Sequence, residues 1–77
     1  MSARAYSIYM TFGQRDEAEM VARTLVSERL AACVNVLGAA RSFYRWQGEV
    51  QADDEIVALA KTRPELVEQV IARVREL

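Results

Sequence analysis

Cys33 is the residue of this sequence with the most specific chemistry. It is the single cysteine among 77 residues, and the chain has no histidine. A thiolate is a soft ligand that suits Cu(I), so one hypothesis is that Cys33 binds copper or another divalent cation. The other is that Cys33 packs as a small buried apolar residue, as free cysteine often does. We favour packing, because no histidine or second cysteine is near in sequence, and a Cys/His zinc site within one chain is excluded.

Carboxylates around a predicted hairpin are the second group of residues with possible chemistry. The group consists of Glu49, Asp53, Asp54 and Glu55. Their oxygen ligands suit hard cations, but their spacing is not that of a calcium-binding EF-hand loop. We therefore interpret the group as a solvated run of charges that protects a strand edge.

The third group, Tyr44, Arg45 and Trp46, lies on the other side of the same hairpin. Aromatic residues and arginine are enriched at the cores of subunit interfaces. We expect these three residues to line a cleft between subunits, mainly as packing residues. Arg45 is the residue that would hold a small anionic effector there.

The composition argues against several functional classes. The chain has no histidine for acid–base catalysis, no Ser/His or Cys/His arrangement for a nucleophile, and only Gly13 where an anion-binding loop would follow the first strand. We therefore predict a protein that is not an enzyme. A net charge of -1 argues against a nucleic-acid partner, and no apolar run approaches the ~20 residues of a membrane span. A free thiol without a signal-peptide pattern predicts a cytoplasmic protein.

The first half of the chain predicts a strand and a helix. Residues 6–12 alternate between apolar and polar side chains, which is the period of a strand. Residues 16–30 repeat their apolar side chains at helical spacing. Asp16 and Glu19 occupy the positions of a capping box, so the helix is predicted to begin at Asp16.

The middle of the chain predicts two strands that form a hairpin. Residues 33–37 and 42–46 are strand-like on either side of Gly38, where small residues predict a bulge or a bend. Residues 47–48, Gln-Gly, predict a tight turn. Residues 50–62 are the predicted returning strand.

A second helix is predicted from the residues that follow. Thr62 is the expected N-terminal cap, and Pro64 is tolerated in the first turn, where its missing N–H would be unpaired. The apolar stripe then continues to Leu77.

The element order strand, helix, strand, strand, helix predicts an α+β fold. It matches a ferredoxin-like split βαβ sandwich, with an antiparallel sheet that carries two helices on one face. We predict that residues 1–77 form one such domain, without the last strand of the complete fold. Residues 56–60 are apolar at every position, so their strand needs cover on both faces. The sequence therefore predicts that the open sheet face is buried against other copies of the chain.

Three segments, taken in order and spacing, resemble the CutA family of divalent-cation tolerance proteins. They are residues 27–35 (SERLAACVN), 44–50 (YRWQGEV) and 61–63 (KTR). The resemblance implies a ferredoxin-like subunit in a tight homotrimer, with sheets inward and helices outward, similar to the PII signal proteins. It also implies a link to tolerance of copper and other divalent ions. Family members usually continue with a segment similar to HPYExPEI and a last strand, and the histidine of that segment is a candidate copper ligand that this sequence does not contain.

The function predicted from the residues and the resemblance is that of a CutA-like trimeric protein for divalent-cation tolerance, with copper bound through Cys33 if it is bound at all. The alternative is a PII-like signalling or scaffold trimer. Its inter-subunit clefts, lined by Tyr44, Arg45 and Trp46, would bind a small effector or a protein partner. Neither function involves nucleic acid or a membrane.

Overall fold

The computed structural model describes residues 5–77, which form one antiparallel sheet and two helices. The elements are β1 (Tyr6–Phe12), α1 (Arg15–Ser27), β2 (Cys33–Trp46), β3 (Glu49–Thr62), a short 3-10 helix (Pro64–Leu66) and α2 (Val67–Glu76). β3 lies between the other two strands, so the sheet order is β1-β3-β2. The predicted α+β class and the predicted element order are confirmed.

The hydrophobic core lies between the sheet and the helices. In β1 the alternation predicted for residues 6–12 holds, because Met10 and Phe12 are buried while Tyr9 is exposed. Leu25 of α1 and Val70 of α2 are the largest side chains that are fully buried. The other buried apolar residues of this cluster are small or medium in size: Ala18, Val21, Ala31, Ala58 and Ala60. The apolar faces predicted for both helices are therefore the faces that build the core.

Helix α1 ends three residues before the predicted end, because the backbone reverses at Arg29. The φ angle of Arg29 is 63°, which is the left-handed conformation that glycine usually supplies after a helix. The Leu30 N–H donates to the Leu25 carbonyl at 2.9 Å, and the Arg29 N–H donates to the Val26 carbonyl at 3.0 Å. This pair of bonds is a Schellman motif, and it satisfies carbonyls that the helix end would otherwise leave unpaired.

Both predicted helix caps are wrong. Helix α1 has its N-cap at Gln14, and no side chain caps it, so Asp16 lies inside the first turn. Thr62 is the last residue of β3, and its hydroxyl donates to the Leu30 carbonyl. This hydrogen bond connects the end of β3 to the loop after α1. Pro64 does begin the following 3-10 helix, as its fixed φ angle allows.

Strand β2 is continuous through the predicted interruption. Val36 lies opposite Ala58 and Gly38 lies opposite Val57, which leaves Leu37 as the extra residue of a β-bulge. Gly38 has a φ angle of 111°, which glycine adopts readily but which would be strained for a residue with a side chain. The predicted bulge is thus confirmed, and pairing resumes directly after it.

The hairpin formed by β2 and β3 extends beyond the rest of the sheet. The turn residues Gln47 and Gly48 both have positive φ angles, 50° and 81°, as the tight turns favoured in hairpins require. β1 pairs with β3 only from Ile56 to Thr62. Residues 40–46 and 49–55 therefore pair only with each other, and we call residues 40–55 the hairpin arm.

Candidate functional site

Cys33 lies at the start of β2, on the face of the sheet that points away from the helices. Its neighbour Val34 packs against the core, and successive strand residues point to opposite faces. The cross-strand partner of Cys33 is Lys61, which in turn lies opposite Ser7. Cys33 is half-buried and has no disulfide partner. The structure thus places Cys33 on the open face, half-buried and opposite Lys61 in the strand register.

A single copy of this chain does not build a metal site around Cys33. Within residues 5–77 no group of three or more histidine, cysteine, aspartate or glutamate side chains is placed to hold a metal ion. The nearest charged side chain in the strand register belongs to Lys61, which carries the same sign as a metal ion. Cys33 is therefore the one thiolate that the described residues offer to copper, and Met10 and Met20 are their thioethers.

The carboxylates of the hairpin arm are divided between its two faces, and those of Asp53, Asp54 and Glu55 form cross-strand bonds. The Ser42 hydroxyl donates to Glu55, and the Arg41 guanidinium lies 3.1 Å from Asp54. The register places Asp54 on the opposite face from Glu55. These pairings agree with a solvated charge run that holds two strands together.

Tyr44, Arg45 and Trp46 all lie on the hairpin arm, but they do not share a face. Alternation along β2 places Tyr44 and Trp46 on the open-face side and Arg45 on the side of the helices. The Tyr44 hydroxyl donates to Asp53, and this hydrogen bond raises the pKa of the tyrosine above its ordinary value. Trp46 is 60% exposed. A cleft that contains all three side chains would have to involve both faces of the arm.

An ion pair connects the two helices on the outside of the molecule. The Arg73 guanidinium donates to both carboxylate oxygens of Glu28, with both N–O distances at 2.8 Å. Arg73 also lies 3.1 Å from Glu76. The hydrogen bond from Arg73 lowers the pKa of Glu28 below its ordinary value. This bidentate arrangement fixes the end of α1 against α2.

A groove at the sheet end opposite the hairpin arm was missed by sequence reasoning. Its volume is about 420 Å³, and Arg29, Lys61 and Arg63 are among the residues that line it. The three cationic residues come from the turn after α1, the end of β3 and the residue that follows it. Only the left-handed turn at Arg29 and the strand register bring these segments together, so sequence spacing gave no signal for the groove.

Comparison with known proteins identifies relatives that all belong to one family. A family model described as CutA1 divalent ion tolerance protein matches residues 6–77. The chain is 44% identical over 70 residues to the divalent-cation tolerance protein CutA of Pyrococcus horikoshii, covering 91% of this chain and 68% of the relative. It is 37% identical over 59 residues to human protein CutA, covering 77% of this chain and 33% of that protein. This chain thus spans from one third to about two thirds of these relatives.

Solved structures show the same fold. The divalent cation tolerance protein of Thermus thermophilus superposes with a TM-score of 0.89 at 38% identity, covering 95% of this chain and 71% of that one. A CutA1 structure from Oryza sativa gives a TM-score of 0.90 at 32% identity, covering 96% and 68%. A structure from Archaeoglobus fulgidus, described as a periplasmic divalent cation tolerance protein, gives 0.88 at 36% identity, covering 95% and 71%.

Proposed function

This chain belongs to the CutA1 divalent ion tolerance family, and from that premise we propose that it acts in divalent-cation tolerance as a homotrimer, with Cys33 as one ligand to copper. Neither helix within residues 5–77 is long and apolar enough to cross a membrane. The cytoplasmic location stays a prediction that depends on the free thiol. The family match is the observation that carries the proposed role in cation tolerance.

Apolar side chains on the hairpin arm support the proposed trimer. Phe43 is 70% exposed, Trp46 is 60% exposed and Val50 is 67% exposed. Trp46 and Phe43 lie on opposite faces of the arm, so cover is needed on both. An isolated two-stranded hairpin is marginally stable in water, and exposed apolar patches of this kind mark protein interfaces. Other copies of the chain are the cover that we propose.

The unpaired edge of β2 supports the same assembly. β2 pairs with β3 along one side from Cys33 to Trp46, and within residues 5–77 no strand pairs with its other side. A long open edge with exposed apolar neighbours invites uncontrolled association unless it is covered. A closed ring of identical subunits covers such an edge without leaving a free end.

The proposed copper site must be shared between chains, because within residues 5–77 one copy places no group of three histidine, cysteine, aspartate or glutamate side chains to hold a metal ion. The thiol lies on the open sheet face that the trimer would cover, and thiolates are preferred ligands of Cu(I). The remaining ligands would come from other copies. The alternative role, a PII-like signalling or scaffold trimer with a small effector or partner in its clefts, predicts a trimer without a specific copper site.

The test is a Cu(I) titration by calorimetry, after light scattering has established the mass. We expect a particle of three 8.7 kDa chains that binds copper saturably, with one ion per chain or fewer. Cys33→Ser should abolish this binding while the trimer persists. Asp53→Asn is the matched control, since it removes a carboxylate of the arm and leaves the thiol in place, and it should bind copper as the unsubstituted protein does.

Two outcomes would reject parts of the proposal. A trimer that shows no saturable copper binding would reject the role of Cys33 and favour the signalling or scaffold role. A monomeric mass at micromolar concentration would reject the trimer itself.

A further inference from the structure

The groove at the sheet end opposite the hairpin arm is a binding site of its own, and we propose that it takes an organic anion with an apolar body, such as a medium-chain carboxylate. The groove measures about 420 Å³, within the range of small-molecule sites. It is formed within a single chain, between the turn after α1 and the end of β3. It is therefore distinct from the hairpin arm and does not include Cys33, although Lys61, the cross-strand partner of Cys33, lies at its border with the open sheet face.

The walls of the groove are suited to a hydrocarbon chain. Val26, Leu30 and Leu66 contribute branched apolar side chains. Ala31 and Ala32 also line the groove, and their short side chains leave the space that the larger residues surround. Burial of a ligand's methylene groups against these walls is favourable, in proportion to the apolar area removed from water. A fully polar ligand, such as a free metal ion or inorganic phosphate, would leave these walls without a partner.

The charges of the groove all have one sign. Arg29, Lys61 and Arg63 line it, and among the described residues no aspartate or glutamate does. Within residues 5–77 neither Arg29 nor Lys61 forms an ion pair, while Arg63 lies 3.5 Å from Glu65 in a pair that solvent screens. The whole chain has a net charge of -1, so this cationic group is a local concentration of positive charge. Such a concentration attracts anions and repels cations.

The backbone at Arg29 gives an independent reason to assign a role to this side chain. A φ angle of 63° is unfavourable for arginine and neutral for glycine. The Schellman bonds of this turn use main-chain atoms only, so glycine would form the same turn without strain. Strain of this kind is a reason to look for function in the residue that carries it. Here the arginine adds a guanidinium, which binds carboxylates in a planar fork.

The test is an NMR titration of the isotope-labelled protein with octanoate. We expect saturable shifts of the amide signals of Ala31, Ala32 and Thr62, and little change on the hairpin arm. Octylammonium has the same apolar body with the opposite charge, and acetate has the same charge without the body. Both should bind more weakly, since the proposal requires the two features together.

Two substitutions locate the site. Arg29→Gly keeps the backbone turn and removes the guanidinium, and it should weaken octanoate binding by about tenfold, the effect of losing one charge-assisted interaction. Arg23→Gln is the matched control, because it removes a cation from the outer side of α1, where Arg23 lines a different surface with Asp16 and Glu19. It should leave octanoate binding unchanged.

Three results would overturn the proposal: no saturable shifts with octanoate, equal binding of octylammonium, or unchanged octanoate binding by a folded Arg29→Gly protein. The copper titration is unaffected by any of these outcomes, because Cys33 does not line the groove.

Discussion

Arg29 carries the backbone strain of the turn after α1, and this strain has a measurable cost. An L-residue in the left-handed region is disfavoured by about 1–2 kcal/mol, which glycine avoids. We predict that Arg29→Gly raises the free energy of unfolding by about 0.5–1 kcal/mol, since glycine's greater freedom in the unfolded chain offsets part of the gain. Chemical denaturation followed by circular dichroism measures this change.

The control for Arg29→Gly is the same substitution inside a helix. Arg23 lies within α1, and Arg23→Gly should destabilise the protein by about 1 kcal/mol, the usual cost of glycine in a helix interior. If Arg29→Gly also destabilised the protein, the side chain of Arg29 would contribute more to the fold than its backbone conformation costs. Combined with the octanoate titration, the expected result is a more stable protein that binds the anion less well.

The bond between Glu28 and Arg73 connects two elements, and it makes their association depend on pH. Because Arg73 lowers the pKa of Glu28 in the folded protein below its ordinary 4.5, the carboxylate stabilises the fold fully above that pH. This contribution is lost as the pH falls through the folded-state pKa. We predict that Glu28→Gln is less stable than the unsubstituted protein at pH 7, and that the difference disappears in acid.

Denaturation at a series of pH values from 7 down to about 3 covers the range in which carboxylates titrate. Glu19→Gln is the control, since Glu19 lies on the same helix and forms no ion pair within residues 5–77. Its stability should follow that of the unsubstituted protein at every pH. A stability difference for Glu28→Gln that persisted unchanged at pH 3 would show that the glutamine alters packing rather than charge.

The elements themselves were predictable from hydrophobic periodicity, while their ends were not. The alternation in residues 6–12 and the apolar stripes of both helices correspond to buried faces. The end of α1 was missed because arginine occupies the position where glycine normally signals a stop. Thr62 was expected to cap a helix because threonine often does so, but pairing with β1 extends β3 through this residue, and its hydroxyl binds the Leu30 carbonyl.

Some of the candidate sites were predictable from the sequence, and one was not. Cys33 and the aromatic residues of the arm stand out in the sequence by type alone. The groove with Arg29, Lys61 and Arg63 depends on tertiary contacts between segments that are distant in the sequence, so no local pattern could identify it. The strand register determines how the residues of the arm are grouped, because it places Arg45 on the opposite face from Tyr44 and Trp46. Composition and spacing thus pointed to Cys33 and to the residues of the arm as candidates, while the fold determines which side chains lie together.

At the scale of the whole molecule, residues 5–77 have an elongated form, 46 × 25 × 21 Å, and the hairpin arm is one of the parts that a single copy leaves uncovered. The core supplied by one short chain rarely stabilises a fold by more than roughly 3–5 kcal/mol. Association that buries the arm adds stability that depends on protein concentration. We therefore expect the melting temperature to rise with protein concentration in the range where the proposed trimer forms.

A charged residue introduced on the hairpin arm tests whether the melting temperature depends on association through the arm. If the proposed trimer covers the arm, Trp46→Glu would bury an unpaired carboxylate in each of its interfaces, and burying such a charge is strongly unfavourable. We predict that light scattering detects mainly monomers of this variant at micromolar concentration, and that its melting temperature is lower and independent of concentration. Met20→Glu is the matched control, because Met20 is 41% exposed on the outer side of α1. This substitution should leave the mass of the assembly unchanged. A Trp46→Glu protein with the mass of the unsubstituted assembly would place the subunit contacts away from the tip of the arm, and the exposed edge of β2 would then be the surface to substitute next.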